Sequence, residues 1–127
     1  MSTAGLSSYR SMTAYGGLTD ATPHQVIQLM LDGAIARIAE ASGHLQRGEI
    51  SAKGEKIGKA LRLIEALMLG LDTERGGEIA GNLERIYDYA SRRLLQANVD
   101  NDASPLDEVS SLLREIKLGW DGIAGKG

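Results

Sequence analysis

The segment GGEIAGNLERIYDYASRRLLQAN, residues 76–98, decides how the chain is read. Ile79, Leu83, Ile86, Ala90, Leu94 and Ala97 recur in it at steps of three and four. At about 100° per residue that spacing puts them on one face of an α-helix, and the face has to be buried. Gly76 and Gly77 open the segment, and Asn98 stands where a helix can end in a left-handed turn. Asp100, Asn101 and Asp102 continue as a polar loop. Tyr87 and Tyr89 fall on opposite flanks of the stripe, where rings are half-buried and hydroxyls stay in water.

The rest of the chain repeats this pattern. Upstream, Thr22-Pro23-His24-Gln25 combines an N-cap Thr, a Pro at the first helical position and a Gln that closes a capping box. The helix it starts carries the seam Ile27, Leu31, Ala34, Ile38, Ala41 and Leu45 and stops at Gly48. Gly33, inside it, predicts close approach of another backbone. A polar turn from Glu49 to Lys53 leads to a second helix with a wide apolar face, Ile57, Ala60, Leu61, Ile64, Leu67, Met68 and Leu71, and residues 72–77 are its exit loop. Downstream, Ser104-Pro105-Leu106-Asp107 reads as a second cap-and-Pro start, followed by the seam Leu106, Val109, Leu113, Ile116, Trp120 and Ile123. Four helices of about 20 residues with short connections predict an all-α, antiparallel up-and-down four-helix bundle. Residues 1–21 show no sustained period and are expected to be a mobile arm, either a frayed terminus or a docking arm anchored by Tyr9, Tyr15, Met12 and Leu18. Residues 124–127 are expected to fray.

Composition agrees and narrows the function. The 127 residues carry no Cys and no Phe, and aromatics make up 4%. Leu, Ile and Ala must therefore fill the interior, which suits helices better than sheets. Without Cys there is neither a disulfide nor a thiolate metal site. The net charge of −3 lacks the basic field of a nucleic-acid binder. No apolar run reaches the roughly 20 residues of a membrane span, and MSTAGLSSYR has no signal-peptide pattern. A single soluble cytoplasmic domain is expected.

No reaction centre emerges. His24 and His44 are the only histidines, and neither belongs to a Glu-x-x-His metal pair. Asp100-Asn101-Asp102 begins like a calcium loop, but Pro105 and Ser111 occupy the turn Gly and bidentate Glu positions, so it reads as a capping loop. The glycines at 76, 77 and 81 follow no strand and cradle no phosphate. His44-Leu45-Gln46-Arg47-Gly48 distantly resembles the phosphoaccepting stretch of histidine-phosphotransfer bundles, which makes a phosphorelay module using His44 the alternative function. A His in the last turn of its helix is, however, placed to face solvent or meet the helix dipole. No catalytic residue, metal or cofactor is expected.

PHQVIQLMLDGA, AKGEKIGKAL, GLDTERGGEIAGNLERIYDYASRRLLQAN and the final Trp120 together resemble the flagellar secretion chaperone FliS family, from about Tyr9 to Ile123, with GGEIAGNLERIYDY the most specific block. The resemblance implies a cytosolic helical-bundle chaperone that binds the disordered C-terminal region of flagellin, prevents its premature polymerisation and delivers it to the export gate of the flagellar secretion apparatus. It also places Tyr9 where the family has an N-terminal Tyr, in an arm linked to covering the groove and contacting the export machinery. Leu31 departs from the Tyr or Phe common in the family.

The residues are compatible with such a guest. Each helix leaves one apolar side chain well off its seam: Leu29, Leu69, Leu95 and Leu118. Flanked by Met30, Leu63, Met68, Tyr87 and Tyr89, they predict grooves between helices into which a partner helix could lay its apolar face. A structural homo-oligomer, such as a homodimer covering the same leucines, is the remaining reading.

Overall fold

A computed structural model describes residues 21–123. They form four α-helices: α1 Pro23–Gln46, α2 Ile50–Leu69, α3 Thr73–Asp100 and α4 Ala103–Gly122. The expected N-terminal arm, with Tyr9 and Tyr15, lies outside the described residues, as does the expected frayed tail.

Local chemistry accounts for the helix ends. The Thr22 hydroxyl accepts from the Gln25 N–H at 3.1 Å, while the Gln25 side chain accepts from the Thr22 N–H at 2.9 Å. This is the expected capping box, worth about 1 kcal/mol. α1 closes with the Glu49 N–H on the His44 carbonyl at 2.8 Å and with Gly48 at φ +75°. α3 ends on Asn101 in the left-handed region, φ 52° and ψ 45°, a conformation Asn tolerates better than most residues. The Asp102 side chain then accepts from the Ser104 N–H at 3.0 Å and caps α4. The cap is therefore Asp102 rather than Ser104. Pro105 follows in the first turn, where its missing N–H costs nothing.

Each helix packs on two neighbours, α1 on α2 and α4, and α3 on α2 and α4. The Lys53 ammonium near the start of α2 reaches the end of α3, and the Trp120 indole near the end of α4 reaches the start of α1. Sequential helices therefore run antiparallel, the expected up-and-down order. The core is built from Leu31, Ala34, Ile38 and Ala41 of α1, Ile57, Ala60, Ile64 and Leu67 of α2, Ala90, Leu94 and Ala97 of α3, and Leu106, Val109 and Leu113 of α4. These are seam positions read from the sequence.

Four local expectations need correction. α2 begins at Ile50, so Lys53 belongs to a helix and not to a turn. Lys53 is 2% exposed. It donates to the Asn98 carbonyl at 2.9 Å and to Asn101 Oδ1 at 2.6 Å, capping carbonyls that α3 leaves unpaired at its end. Gly33 is approached by a side chain and not by a backbone: an added Cβ would lie 3.2 Å from Leu63 Cδ1. α3 runs from Thr73 to Asp100, beyond both ends of the 76–98 reading, and it is kinked at Gly77, with φ 52° and ψ −124°. Beside that kink Ile79, the first seam position, is 72% exposed.

Candidate functional site

At the end of the bundle away from Lys53, the seams do not close. An apolar cleft of about 640 Å³ opens there, lined by Pro23, His24, Val26, Ile27 and Leu31 of α1, Leu67 of α2, Gly70 and Leu71 of the following turn, Leu83 and Tyr87 of α3, and Ile116 and Trp120 of α4, with Ala21 at its edge. The antiparallel order brings these together because the first turns of α1 and the last turns of α4 share this end. Ile27, Leu71, Leu83, Ile116 and Trp120 pack on the core yet are only half-buried. Apolar surface therefore remains facing outward where a bundle would ordinarily seal it.

One wall is held by an aromatic stack. The His24 and Trp120 rings lie 4.5 Å apart between centroids with 9° between their planes. The Trp120 indole N–H also donates to the His24 carbonyl at 3.0 Å. The stack fixes the imidazole even though its Nε2 is buried without a hydrogen-bond partner. Beside it, the Gln28 amide donates to Asp121 at 2.7 Å and Lys117 pairs with the same carboxylate at 2.8 Å, with Asp32 3.5 Å from the ammonium. Lys117, then Gln28, holds the Asp121 carboxyl below its ordinary value. This polar rim ties α1 to α4 next to the opening.

Tyr87 stands in the cleft wall. It is 3% exposed, and burial pushes its phenol up to about 12. A neutral phenol is therefore presented to the cleft at any physiological pH. A second, shallower groove of about 450 Å³ runs between α3 and α4, lined by Asn82, Arg85, Ile86, Tyr89, Glu108 and Leu112. There the Tyr89 hydroxyl donates to Glu108 Oε2 at 2.7 Å and Arg93 donates to Oε1 at 2.6 Å. These two bonds, Tyr89's the stronger influence, hold the Glu108 carboxyl below its usual range.

Of the residues singled out for partner binding, the structure brings only Tyr87 into the cleft and Tyr89 into the second groove. Met30 is 1% exposed and belongs to the core, as does Tyr87 apart from its cleft-facing surface, so neither is a half-buried flank. The reason is that each helix faces two neighbours, which widens the buried arc beyond a single seam. Leu29, Leu63 and Met68 are half-buried, and Leu63 and Met68 pack against the core. Leu69, Leu95 and Leu118 are exposed as their helical angles imply. None of them lines either opening. Off-seam position tells that a side chain is exposed, not that several converge. What sequence reading missed is the cleft itself, made of seam residues plus His24. The available signal was topological: in an up-and-down bundle the first turn after Pro23 must lie beside Trp120.

His44 sits in a different setting. Its Nδ1 lies 2.8 Å from Glu49 Oε1, which also accepts from Arg47 Nε at 2.9 Å. The imidazole is thus part of the turn that closes α1, and these partners hold the Glu49 carboxyl below its ordinary value, His44 first. Among the described residues no helix is long and apolar enough to cross a membrane.

The chain matches known proteins over nearly its whole length. The family model described as flagellar protein FliS matches residues 6–127. A protein of Pseudomonas aeruginosa named flagellar secretion chaperone FliSB is 50% identical over 116 residues, 91% of this chain and 92% of that protein. The flagellar secretion chaperone FliS of Salmonella typhimurium is 43% identical over 124 residues, covering 97% and 92% of the two chains. The corresponding Bacillus subtilis protein is 30% identical over 110 residues, covering 85% and 81%.

Proposed function

The chain belongs to the FliS family, and from that premise we propose that it is a cytosolic flagellar secretion chaperone that holds the disordered C-terminal region of flagellin in the apolar cleft between α1, α3 and α4. The observation that carries this reading is the cleft of about 640 Å³, whose walls are seam residues left half-buried. An amphipathic helix laid into it would complete the unfinished end of the bundle by the helix-in-groove mode. A segment that is disordered when free orders as it binds, so part of the gain in apolar burial is spent on conformational entropy. Covering the segment lowers the concentration of flagellin able to polymerise, and the loaded chaperone then brings it to the export gate. The groove between α3 and α4, continuous with the cleft through neighbouring positions Leu83 and Ile86, offers room for a second stretch of the same guest.

The test is titration of the purified chain with a flagellin C-terminal peptide, followed by a filament-growth assay with intact flagellin. Binding in the micromolar range or tighter, with growth suppressed in proportion to the chaperone added, is the expected result. Absence of binding at that concentration removes the proposal.

A further inference from the structure

The connection from α2 into α3 carries features that a bundle turn does not require. Gly77, at φ 52° and ψ −124°, occupies a region closed to residues with a Cβ. Its neighbour Gly76 is helical but crowded, since an added Cβ would lie 2.7 Å from the Cβ of Ala80. The two glycines divide α3 into a short first turn, residues 73–76, and a long body, residues 78–100. The short turn is capped by the Asp72 side chain, which accepts from the Arg75 N–H at 3.1 Å. Glu74, Arg75, Gly76, Gly77, Glu78 and Ile79 are all exposed, and Ile79 is a large apolar side chain left in water. Both ends of this stretch reach the cleft: Gly70 and Leu71 line it on one side and Leu83 on the other.

We propose that residues 70–79 form a lip that swings about Gly77 and closes on the segment bound in the cleft, with Ile79 laid against that segment. The proposal rests on the reading above that flagellin's C-terminal region is the guest. Glycine crosses between the kinked and the helical backbone at little cost, so Gly77 joins two rigid pieces by a swivel. With helical angles at Gly77, α3 becomes one continuous helix and the first turn is carried to a new direction. The kinked form keeps Leu71 at the cleft and Ile79 in water. A guest in the cleft gives Ile79 an apolar surface to cover, which biases the lip toward closure because only the bound state gains that contact.

Hydrogen exchange and peptide titration of the full chain test this. With the flagellin C-terminal peptide bound, backbone amides of residues 70–79 are expected to exchange at least tenfold more slowly. Ile79→Ser, a change at an exposed position that leaves the fold intact, should weaken the peptide about tenfold, the scale of returning one isoleucine side chain to water. Gly77→Ala, which disfavours the positive φ, should release the peptide about tenfold faster. Should Gly77→Ala prove misfolded by circular dichroism, the exchange data and Ile79→Ser decide alone. Tight binding to the wild-type chain with unchanged exchange at residues 70–79 and full affinity in Ile79→Ser overturns the lip and leaves the guest assignment standing. No binding to the wild-type chain removes both.

Discussion

Replacing Trp120 tests whether the cleft wall is a built part of the fold. The indole does three things: it packs on the core while half-buried, stacks on His24 at 4.5 Å, and donates to the His24 carbonyl at 3.0 Å. A fully buried Trp costs about 3–5 kcal/mol on truncation to Ala, so the half-buried packing here is worth about 2 kcal/mol. The stack adds roughly 1 kcal/mol. The hydrogen bond adds about 1 kcal/mol net. Trp120→Ala should therefore cost about 4 kcal/mol, and Trp120→Phe, which keeps a ring but loses the donor, about 1–2 kcal/mol. Both remain folded at 25 °C if the total stability lies at about 5–15 kcal/mol. Urea unfolding followed by helical circular dichroism measures both losses. Because the tryptophan is the only one in the chain, its wild-type fluorescence also reports guest entry. Peptide affinity should survive Trp120→Phe and fall in Trp120→Ala. A loss below about 1 kcal/mol in Trp120→Ala would mean that the wall stands without its indole, and the packing argument would fail.

Three further outcomes are expected. Lys53→Met loses two charge-assisted hydrogen bonds but escapes the cost of a buried ammonium; the net should be a destabilisation of about 2 kcal/mol, and an unchanged or higher melting temperature would refute the capping role. The Tyr87 phenol, held at about 12, keeps its proton in the folded chain while the unfolded chain releases it from about pH 10 upward, so stability should fall between pH 10 and 12. Urea midpoints across that window should fall more steeply for the wild type than for Tyr87→Phe, and equal slopes would contradict the burial of the phenol. Gly43→Ala should raise stability by up to about 1 kcal/mol, since only the exposed Arg47 guanidinium, 3.1 Å from the new Cβ, has to move; a lower thermal midpoint would show that the guanidinium cannot give way.

Local rules carried the fold where the deciding partners lie within a few residues. The Thr22 and Gln25 box needs nothing beyond its own turn, and the seams through Ile38, Ile64, Leu94 and Leu113 need only helical periodicity. Reading failed where the partner is distant. Lys53 looked like a turn residue because its acceptors, Asn98 and Asn101, lie 45 and 48 positions away. The start of α4 was misread because Pro105 fits either of two caps, and the choice of Asp102 follows from where Asn101 ends the preceding helix. The kink at Gly77 was hidden by a hydrophobic repeat that runs through it unchanged, so that Ile79 kept its period and lost its burial.

The cleft was illegible for a related reason: a seam records which side chains face inward and not how far apart they hold the helices. At the Lys53 end the inward residues include Ala41, Ala97 and Val109, small enough for the helices to close on one another, and all are buried. At the opposite end the same register supplies Ile27, Leu71, Leu83, Ile116 and Trp120, and these remain half-buried around an opening. Close packing demands that such bulk either interlock or leave space, and here four helices cannot interlock it without another element. An apolar helix from a partner is the shape that satisfies this geometry, and its own large side chains would take the positions that Ala occupies at the closed end. Enlarging the closed end with Ala97→Leu would overpack a sealed core, whereas filling the open end with Leu83→Trp would substitute for the guest. The second change should raise stability and lower peptide affinity together. That paired response distinguishes an unfinished core from an ordinary surface hollow, where stability and affinity would move independently.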